Sequence, residues 1–498
     1  MSSLFELRLD PIEGTRRSTR SLYEQLKAAI VDGRLAAGVR LPGTRQSSLF
    51  FGVSRNTATE IYERLANDGY VVSRRGSGTF VAETLPLVPR SPRPVPPAAS
   101  DPRLNPFWLS DDTIAAIGFW RDPPIAGKRV NKGLSADFRP ALIDSRLFPL
   151  DRFRQVSVKQ LRQVETRPPA FKSPQGNQGN FRLREAIVRH IALTRAVPCL
   201  PDDVLVTSGA QQAFDLIARI LVTPGETVVA IEDPGYPPMR VAFAAAGARI
   251  VPVEVDAQGL IVERLPDDVD IVCVCPSHQF PTGVTMSAER RAALIAFARA
   301  RGAVIVEDDY DGEFRYEGSP LEALRTAEAA DLVFYVGTFS KCMLPSFRLG
   351  FVAAPLWAMP ALVAAKNCLD WHCPIPVQLG VSAFISEGYL TRHVRRMRGV
   401  YDQRRRRMTA YIDDRLSDWL EAVPTVYGMH VAAFARRPLD CEDIAAELSS
   451  GNVKLHALDR YYLGPRARQG FVFGYGAVNL DEIEYGLNVL HKVLLRRG

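Results

Sequence analysis

Gly337-Thr338-Phe339-Ser340-Lys341 stands directly after the run Leu332-Val333-Phe334-Tyr335-Val336, with Arg348 seven residues beyond the lysine. A short apolar run rich in β-branched and aromatic residues reads as a buried strand. Lysine and arginine therefore fall just past a strand C-terminus, where open α/β sheets bind ligands. Outward from this stretch the pattern repeats. Ala303-Val304-Ile305-Val306 leads into Glu307-Asp308-Asp309-Tyr310, and Val204-Leu205-Val206-Thr207 into Ser208-Gly209-Ala210-Gln211-Gln212. Thr227-Val228-Val229-Ala230-Ile231 leads into Glu232-Asp233-Pro234-Gly235-Tyr236, and Ile271-Val272-Cys273-Val274-Cys275 into Pro276-Ser277-His278. Amphipathic stretches such as Ser287 to Arg301 lie between, which predicts an α/β fold with a largely parallel sheet.

Taken one at a time these patches say little, since a lone Ser-Lys is usually surface and a lone tyrosine usually core or rim. As an ordered series on strand ends they are specific. A primary amine, a carboxylate, a phenol and a guanidinium converging on one pocket suit pyridoxal 5′-phosphate. The amine can form a Schiff base with its aldehyde and a carboxylate can keep the ring nitrogen protonated. Phenol and guanidinium suit the ring oxygen and the phosphate, which the backbone N–H groups opening a helix at Ser208-Gly209 can also hold.

The bulk numbers agree with a soluble multidomain protein: 498 residues, 47% hydrophobic and 23% charged. No apolar run reaches membrane-spanning length, and residues 1–20 are too polar for a signal peptide. Seven scattered cysteines fit a reduced cytoplasm, and no metal-ligand spacing is present, so no metal site is expected. The net charge is +7, and residues 1–82 carry +4 of it (12 Arg+Lys against 8 Asp+Glu), which favours a polyanionic partner at that end.

Within that end, Leu22, Leu26, Ala29 and Ile30 share one helical face that Gly33 can close, and Thr44 to Phe51 reads as a second helix. Ser54 is placed to cap a third helix carrying Ala58, Ile61, Tyr62 and Leu65. Tyr70-Val71-Val72-Ser73 and Thr79-Phe80-Val81 then read as strands joined by Arg74-Arg75-Gly76-Ser77-Gly78. This is the outline of a winged helix-turn-helix over residues 1–82. Arg55 and Thr57 open the recognition helix, and bare backbone at Gly76 and Gly78 lets the wing approach duplex DNA. Eight prolines in residues 86–106 predict a linker over residues 83–130, ahead of an effector domain over 131–498.

Leu41-Pro42-Gly43-Thr44-Arg45, Gly52-Val53-Ser54-Arg55-Asn56-Thr57 and Arg75-Gly76-Ser77-Gly78-Thr79-Phe80-Val81 resemble the GntR-type winged helix. By that resemblance Arg45, Arg55, Thr57, Gly76, Ser77 and Gly78 contact operator DNA. Ser47 and Ser48 replace the apolar pair usual in that family, which predicts a less firmly packed second helix. The later series resembles fold-type I aminotransferases with large and small subdomains, and more closely the MocR/GabR regulators, along the whole chain. That resemblance makes Lys341 the Schiff-base lysine, pairs Asp308 with the ring nitrogen, and assigns Tyr310 and His278 to the ring oxygen. Tyr236 would stack on the ring, with Ala210, Gln211, Thr338, Ser340 and Arg348 at the phosphate. Arg460 and Arg240 would hold the acid group of an effector.

The expected function is a homodimeric, pyridoxal phosphate-binding transcription regulator that senses a small amine or amino acid and grips double-stranded operator DNA. The alternative is a working aminotransferase carrying a fused DNA-binding module. Against it, Phe471-Val472-Phe473-Gly474-Tyr475, the late strand that carries the substrate-binding arginine in such enzymes, has none at the matching place. The arginine-rich run from Arg392 to Arg407 is expected to be a solvated helix face.

Overall fold

Apolar residues at helical spacing build the first unit, residues 1–104, one of two into which the chain divides; the second is 105–498. The computed structural model describes residues 19–74, 76–85, 103–118, 135–166, 177–318, 321–464 and 467–497. Helix α1 (Thr19–Val31) buries Leu22, Leu26, Ala29 and Ile30. Helix α2 (Thr44–Phe51) ends at Gly52, whose φ of 65° is the left-handed conformation of a C-terminal cap. Helix α3 (Arg55–Asn67) starts where the Ser54 side chain accepts the Thr57 N–H at 3.1 Å. Strands β1 (Val71–Arg74) and β2 (Gly78–Val81) pair antiparallel, Val71 with Val81 and Arg74 with Gly78. Leu26, Phe51, Ile61, Leu65 and Val81 meet in one core. Arg75, named in the wing motif, lies outside the described residues.

Ser47 overturns the expectation of loose packing in α2. It is buried, its hydroxyl lies 2.7 Å from the Tyr62 hydroxyl on α3, and both hydroxyls lie within hydrogen-bond reach of the Pro42 carbonyl. A buried polar pair with every partner supplied ties the two helices together in place of an apolar contact.

The second unit opens with a 3-10 turn (Pro106–Leu109) and helix α4 (Asp111–Ile117), capped by the Ser110 hydroxyl, which accepts the Thr113 N–H. Residues 106–117 are therefore folded, although they fall within the span read as linker; residues 86–102 and 119–130 of that span lie outside the described residues. Strand β3 (Ala136–Asp137) and helices α5 (Leu150–Thr166) and α6 (Phe181–Arg195) precede the main sheet. Its elements run β4 (Val204–Thr207), α7 (Ala210–Leu221), β5 (Val228–Asp233), α8 (Pro237–Ala245), β6 (Arg249–Asp256), β7 (Gly259–Leu260) and β8 (Ile271–Val274). They continue with α9 (Ala288–Arg301), β9 (Val304–Asp309), β10 (Val333–Thr338) and β11 (Gly350–Ala353). The eight strands lie in the order β4-β11-β10-β9-β8-β5-β6-β7. The central pairs are parallel, whereas β11 runs antiparallel to both β10 and β4. Parallel strands covered on both faces explain the unbroken apolar runs, and β4, β5 and β10 are buried at every position.

Helices α10 (Met359–Leu369), α11 (Ile375–Ser386) and α12 (Tyr389–Arg415) lead to a smaller antiparallel sheet. It comprises β12 (Leu420–Ala422), β13 (His430–Ala435), β15 (His456–Ala457) and β16 (Gly470–Gly474), in the order β12-β13-β16-β15. Helix α13 (Cys441–Ser450) and helix α14 (Leu480–Arg497) accompany it, and β14 (Val453–Lys454) pairs with β3. Among the described residues no helix is long and apolar enough to cross a membrane.

Candidate functional site

The C-terminal ends of the parallel strands border a cavity of about 970 Å³. Its wall brings together Ala210 and Gln211 at the start of α7, Tyr236 before α8, Asp308 at the end of β9 with Tyr310 just past it, and Thr338 at the end of β10 with Ser340, Lys341 and Arg348 beyond it. These nine expected residues come from four separate strand ends. Local geometry explains several of them. Gly209 opens α7 at a φ of 80°, and a Cβ there would lie 2.9 Å from Nη2 of Arg348, so glycine leaves the guanidinium its place. Arg348 itself adopts the left-handed conformation, φ 47°, after the turn Pro345–Phe347, and donates to the Ser208 carbonyl at 2.9 Å. A non-glycine residue held there is an uncommon conformation that concentrates at ligand sites. Thr338 Oγ1 accepts the Ser340 N–H at 3.2 Å and donates to Ser340 Oγ, which turns the chain toward Lys341.

Lys341 Nζ donates to the Ala141 carbonyl at 2.6 Å. Burial pushes its ammonium down to about 8, against the opposing pull of Asp311 and Asp308. A larger share of neutral, nucleophilic amine follows. Asp308 is driven the other way, up to about 8, first by burial and then by Asp309 and Asp311. Its Oδ1 is buried without a hydrogen-bond partner. A protonated ring nitrogen is the kind of donor that this oxygen lacks, and its positive charge would restore the ionised carboxylate. With the glycine-lined cradle around Arg348, the residues present fit pyridoxal phosphate.

His278 does not form part of the wall. It is buried behind Tyr310, whose hydroxyl donates to the His278 carbonyl at 2.9 Å and lies 3.0 Å from Nδ1. Asp311 approaches the same nitrogen at 3.1 Å. His278, Asp311 and His430 offer ligand atoms within 4.8 Å of one another, a set of metal-binding composition that lies deeper than the cavity. Burial keeps both imidazoles neutral, down to about 3. The histidine expected at the ring oxygen thus reaches the cavity through Tyr310.

Neither proposed effector arginine lines the cavity. Arg240 is clamped by Asp112 of α4 through paired contacts of 2.6 and 2.9 Å. Arg460 is exposed on the turn Leu458–Tyr461, next to Tyr461, which packs in one aromatic cluster with Tyr236 and Tyr310. Sequence reasoning missed Ala141, Trp108 and Ile117, all on the wall, and Asp311 behind it. Asp311 had a signal in the acidic run Glu307 to Asp311; the other three had none.

In the first unit Arg45, Arg55, Asn56 and Gly76 to Gly78 are exposed, the two glycines at φ of 78° and 109°. Thr57 is half-buried, its hydroxyl 2.9 Å from that of Ser54.

Residues 18–81 match the family described as bacterial regulatory proteins, gntR family, and residues 150–430 match aminotransferase class I and II. The chain is 32% identical over 477 residues to a probable rhizopine catabolism regulatory protein, MocR, of Rhizobium meliloti, covering 96% of this chain and 93% of that one. It is 31% identical over 488 residues to the pyridoxine biosynthesis transcriptional regulator PdxR of Corynebacterium glutamicum, covering 96% of each. The kynurenine aminotransferase structure of Pyrococcus horikoshii superposes with a TM-score of 0.68 at 24% identity, over 74% of this chain and 92% of that one.

Proposed function

The chain belongs to the MocR-type transcriptional regulators, a GntR-type winged helix-turn-helix joined to an aminotransferase-class domain, and from that premise we propose that pyridoxal 5′-phosphate and a small amine together control its grip on operator DNA. The observation that carries the proposal is the unpartnered, buried Oδ1 of Asp308 in the same cavity as the Lys341 amine and the Gly209–Arg348 cradle. When bound, the cofactor supplies an aldehyde that a primary amine captures reversibly. Lys341 is that amine, Asp308 holds the ring nitrogen protonated, Tyr310 faces the ring oxygen, and Tyr236 covers the ring. Arg348, Ser340, Thr338 and the α7 N-terminus hold the phosphate.

An effector amine competes with Lys341 for the aldehyde. Arg460 is its acid-group partner in this reading, because Arg240 is already occupied by Asp112. Only an unequal affinity for two arrangements of the protein converts such binding into altered DNA affinity. Arg45, Arg55, Thr57 and the wing from Gly76 to Gly78 provide the DNA contacts, and a homodimer presents two winged helices to paired half-sites.

The test is a reconstitution. Full-length protein mixed with pyridoxal phosphate should turn yellow, take a borohydride-stable label on the Lys341 peptide, and retard DNA from upstream of its own gene in an amine-dependent way. Colourless protein that ignores that DNA overturns the proposal. Steady amino-group transfer to 2-oxoglutarate at enzyme-like rates without DNA retardation would establish the enzymatic reading instead.

A further inference from the structure

The arginine run of α12 is largely the solvated face expected, with Arg392, Arg395, Arg396, Arg406 and Arg407 exposed, but several of its guanidinium groups are held in place. Arg404 is buried against Asp144 at 2.9 Å, Arg405 pairs with Asp402 at 2.8 Å, and Arg407 reaches Glu484 at 2.6 Å. Arg395 and Arg398 instead border a second cavity of about 770 Å³, with Arg189, His190, Arg195 and Arg315 on its other walls. Among the described residues Asp402 is the only carboxylate on that wall, and Arg405 and Arg406 already hold it.

The cationic heads are unevenly used. Arg195 is committed to Asp309 at 2.5 Å. Arg398 spends Nε on the Glu313 carbonyl at 2.6 Å, and among the described residues its two Nη atoms have no partner. Arg395 has none at all among the described residues. Nη1 of Arg315 is buried without a hydrogen-bond partner, while its guanidinium lies 4.7 Å over the Tyr427 ring. Several guanidinium donors thus converge on a concavity of small-molecule size whose one described carboxylate is already taken. Guanidinium forks match phosphate and carboxylate oxygens, and a concave wall of one sign concentrates an oppositely charged ligand.

We propose that this second cavity is a binding site for a small oxyanion of two or more charges, a phosphorylated or polycarboxylate metabolite. The site is not independent of the first. Asp308 and Tyr310 line the cofactor cavity, Gly312 lines the arginine cavity, and Arg195 reaches from the second wall to Asp309 between them. An anion that draws on Arg195 competes with Asp309, and so bears on the segment that carries Asp308.

Calorimetric titration of the full-length protein, preincubated with pyridoxal phosphate so that the groups around Arg348 are engaged, decides the matter. Pyrophosphate and citrate serve as phosphoryl and carboxylate probes. At least one should bind with a submillimolar Kd that weakens tenfold or more, about the worth of one charge-assisted contact, in an Arg395→Ala/Arg398→Ala variant. These side chains lie outside the apolar core, and an unchanged melting temperature and cofactor absorbance would show that the variant is folded. Failure of both probes to bind overturns the proposal, as does binding that the double substitution leaves unchanged. Loss of operator affinity in the variant, with duplex DNA displacing pyrophosphate, would make the cavity a contact for nucleic-acid backbone and would equally overturn it.

Discussion

Arg55 at the start of α3 is exposed, whereas Asp308 at the end of β9 is 5% exposed, and the contrast runs through both units. The winged-helix unit carries the residues proposed to contact DNA on short elements close in sequence, with solvent around most of them. The effector unit collects its groups from strand ends up to 138 residues apart, between Ala210 and Arg348, and strips water from them. The first arrangement suits a large anionic partner met in solution and read by exposed donors. The second suits a small ligand whose chemistry depends on protonation states that burial has displaced.

The largest effect that can break this contrast is expected from Lys341→Ala. It should abolish covalent capture of pyridoxal phosphate, read as loss of the visible band and of borohydride labelling, while the cofactor-free protein keeps its DNA affinity. Asp308→Asn comes next. It removes the charge opposite the ring nitrogen but keeps the shape, and cofactor affinity should fall by about 2–3 kcal/mol, as for a buried charge-assisted hydrogen bond; fluorescence titration measures it. Arg55→Ala should weaken operator binding by about 1–3 kcal/mol in a mobility-shift assay and leave the absorbance of bound cofactor untouched. If Arg55→Ala also altered cofactor binding, the separation of roles between the units would be broken.

A pH series sharpens the same contrast. Asp308 and Asp311 are raised from 3.8 to about 8, by burial first. Folded protein therefore holds these protons more tightly than unfolded chain, so the stability they lend is complete below about pH 4 and is lost as pH rises through about 8. His278 and His430 titrate below this range. Glu232 and Glu307, raised by burial to about 8 and about 7, act in the same direction. The melting temperature of the cofactor-free effector unit should therefore fall between about pH 6.5 and 8, and Asp308→Asn with Asp311→Asn should reduce the slope without abolishing it. The winged-helix unit should melt without that slope. The smallest effect belongs to Ser47→Ala, which removes the Ser47–Tyr62 contact but leaves Tyr62 its bond to Pro42 at 3.0 Å. A loss of about 0.5–1.5 kcal/mol, a few degrees in the N-terminal transition, is expected in calorimetry.

Much of this was legible in the residues. The five apolar runs became β4, β5, β8, β9 and β10 because strands buried on both faces need continuous hydrophobicity. Four of the five patches after them, those following β4, β5, β9 and β10, fell on one cavity because parallel strands deliver their ends to one edge. Strand β11 was illegible: Gly350-Phe351-Val352-Ala353 is short, and its antiparallel insertion between β4 and β10 depends on close backbone approach at Gly350, where a Cβ would lie 2.8 Å from the Gly337 carbonyl. His278 gave its position but not its orientation, since which way a buried ring turns is settled by Asp311 and Tyr310 across the core. Helix α4 hid behind prolines. Its seven residues hold because they rest on α8, a contact that local pattern does not encode.

Helix α4 also decides where the protein can be cut. A chain shortened to begin at residue 131, as composition alone invites, would lose Trp108 and Ile117 from the cavity wall and leave Arg240 without Asp112. Ligand screens on such a fragment would survey a cavity that has lost part of its apolar wall, beside a cation that the intact protein keeps neutralised. Truncation ahead of Asn105 keeps every described residue of the cavity wall.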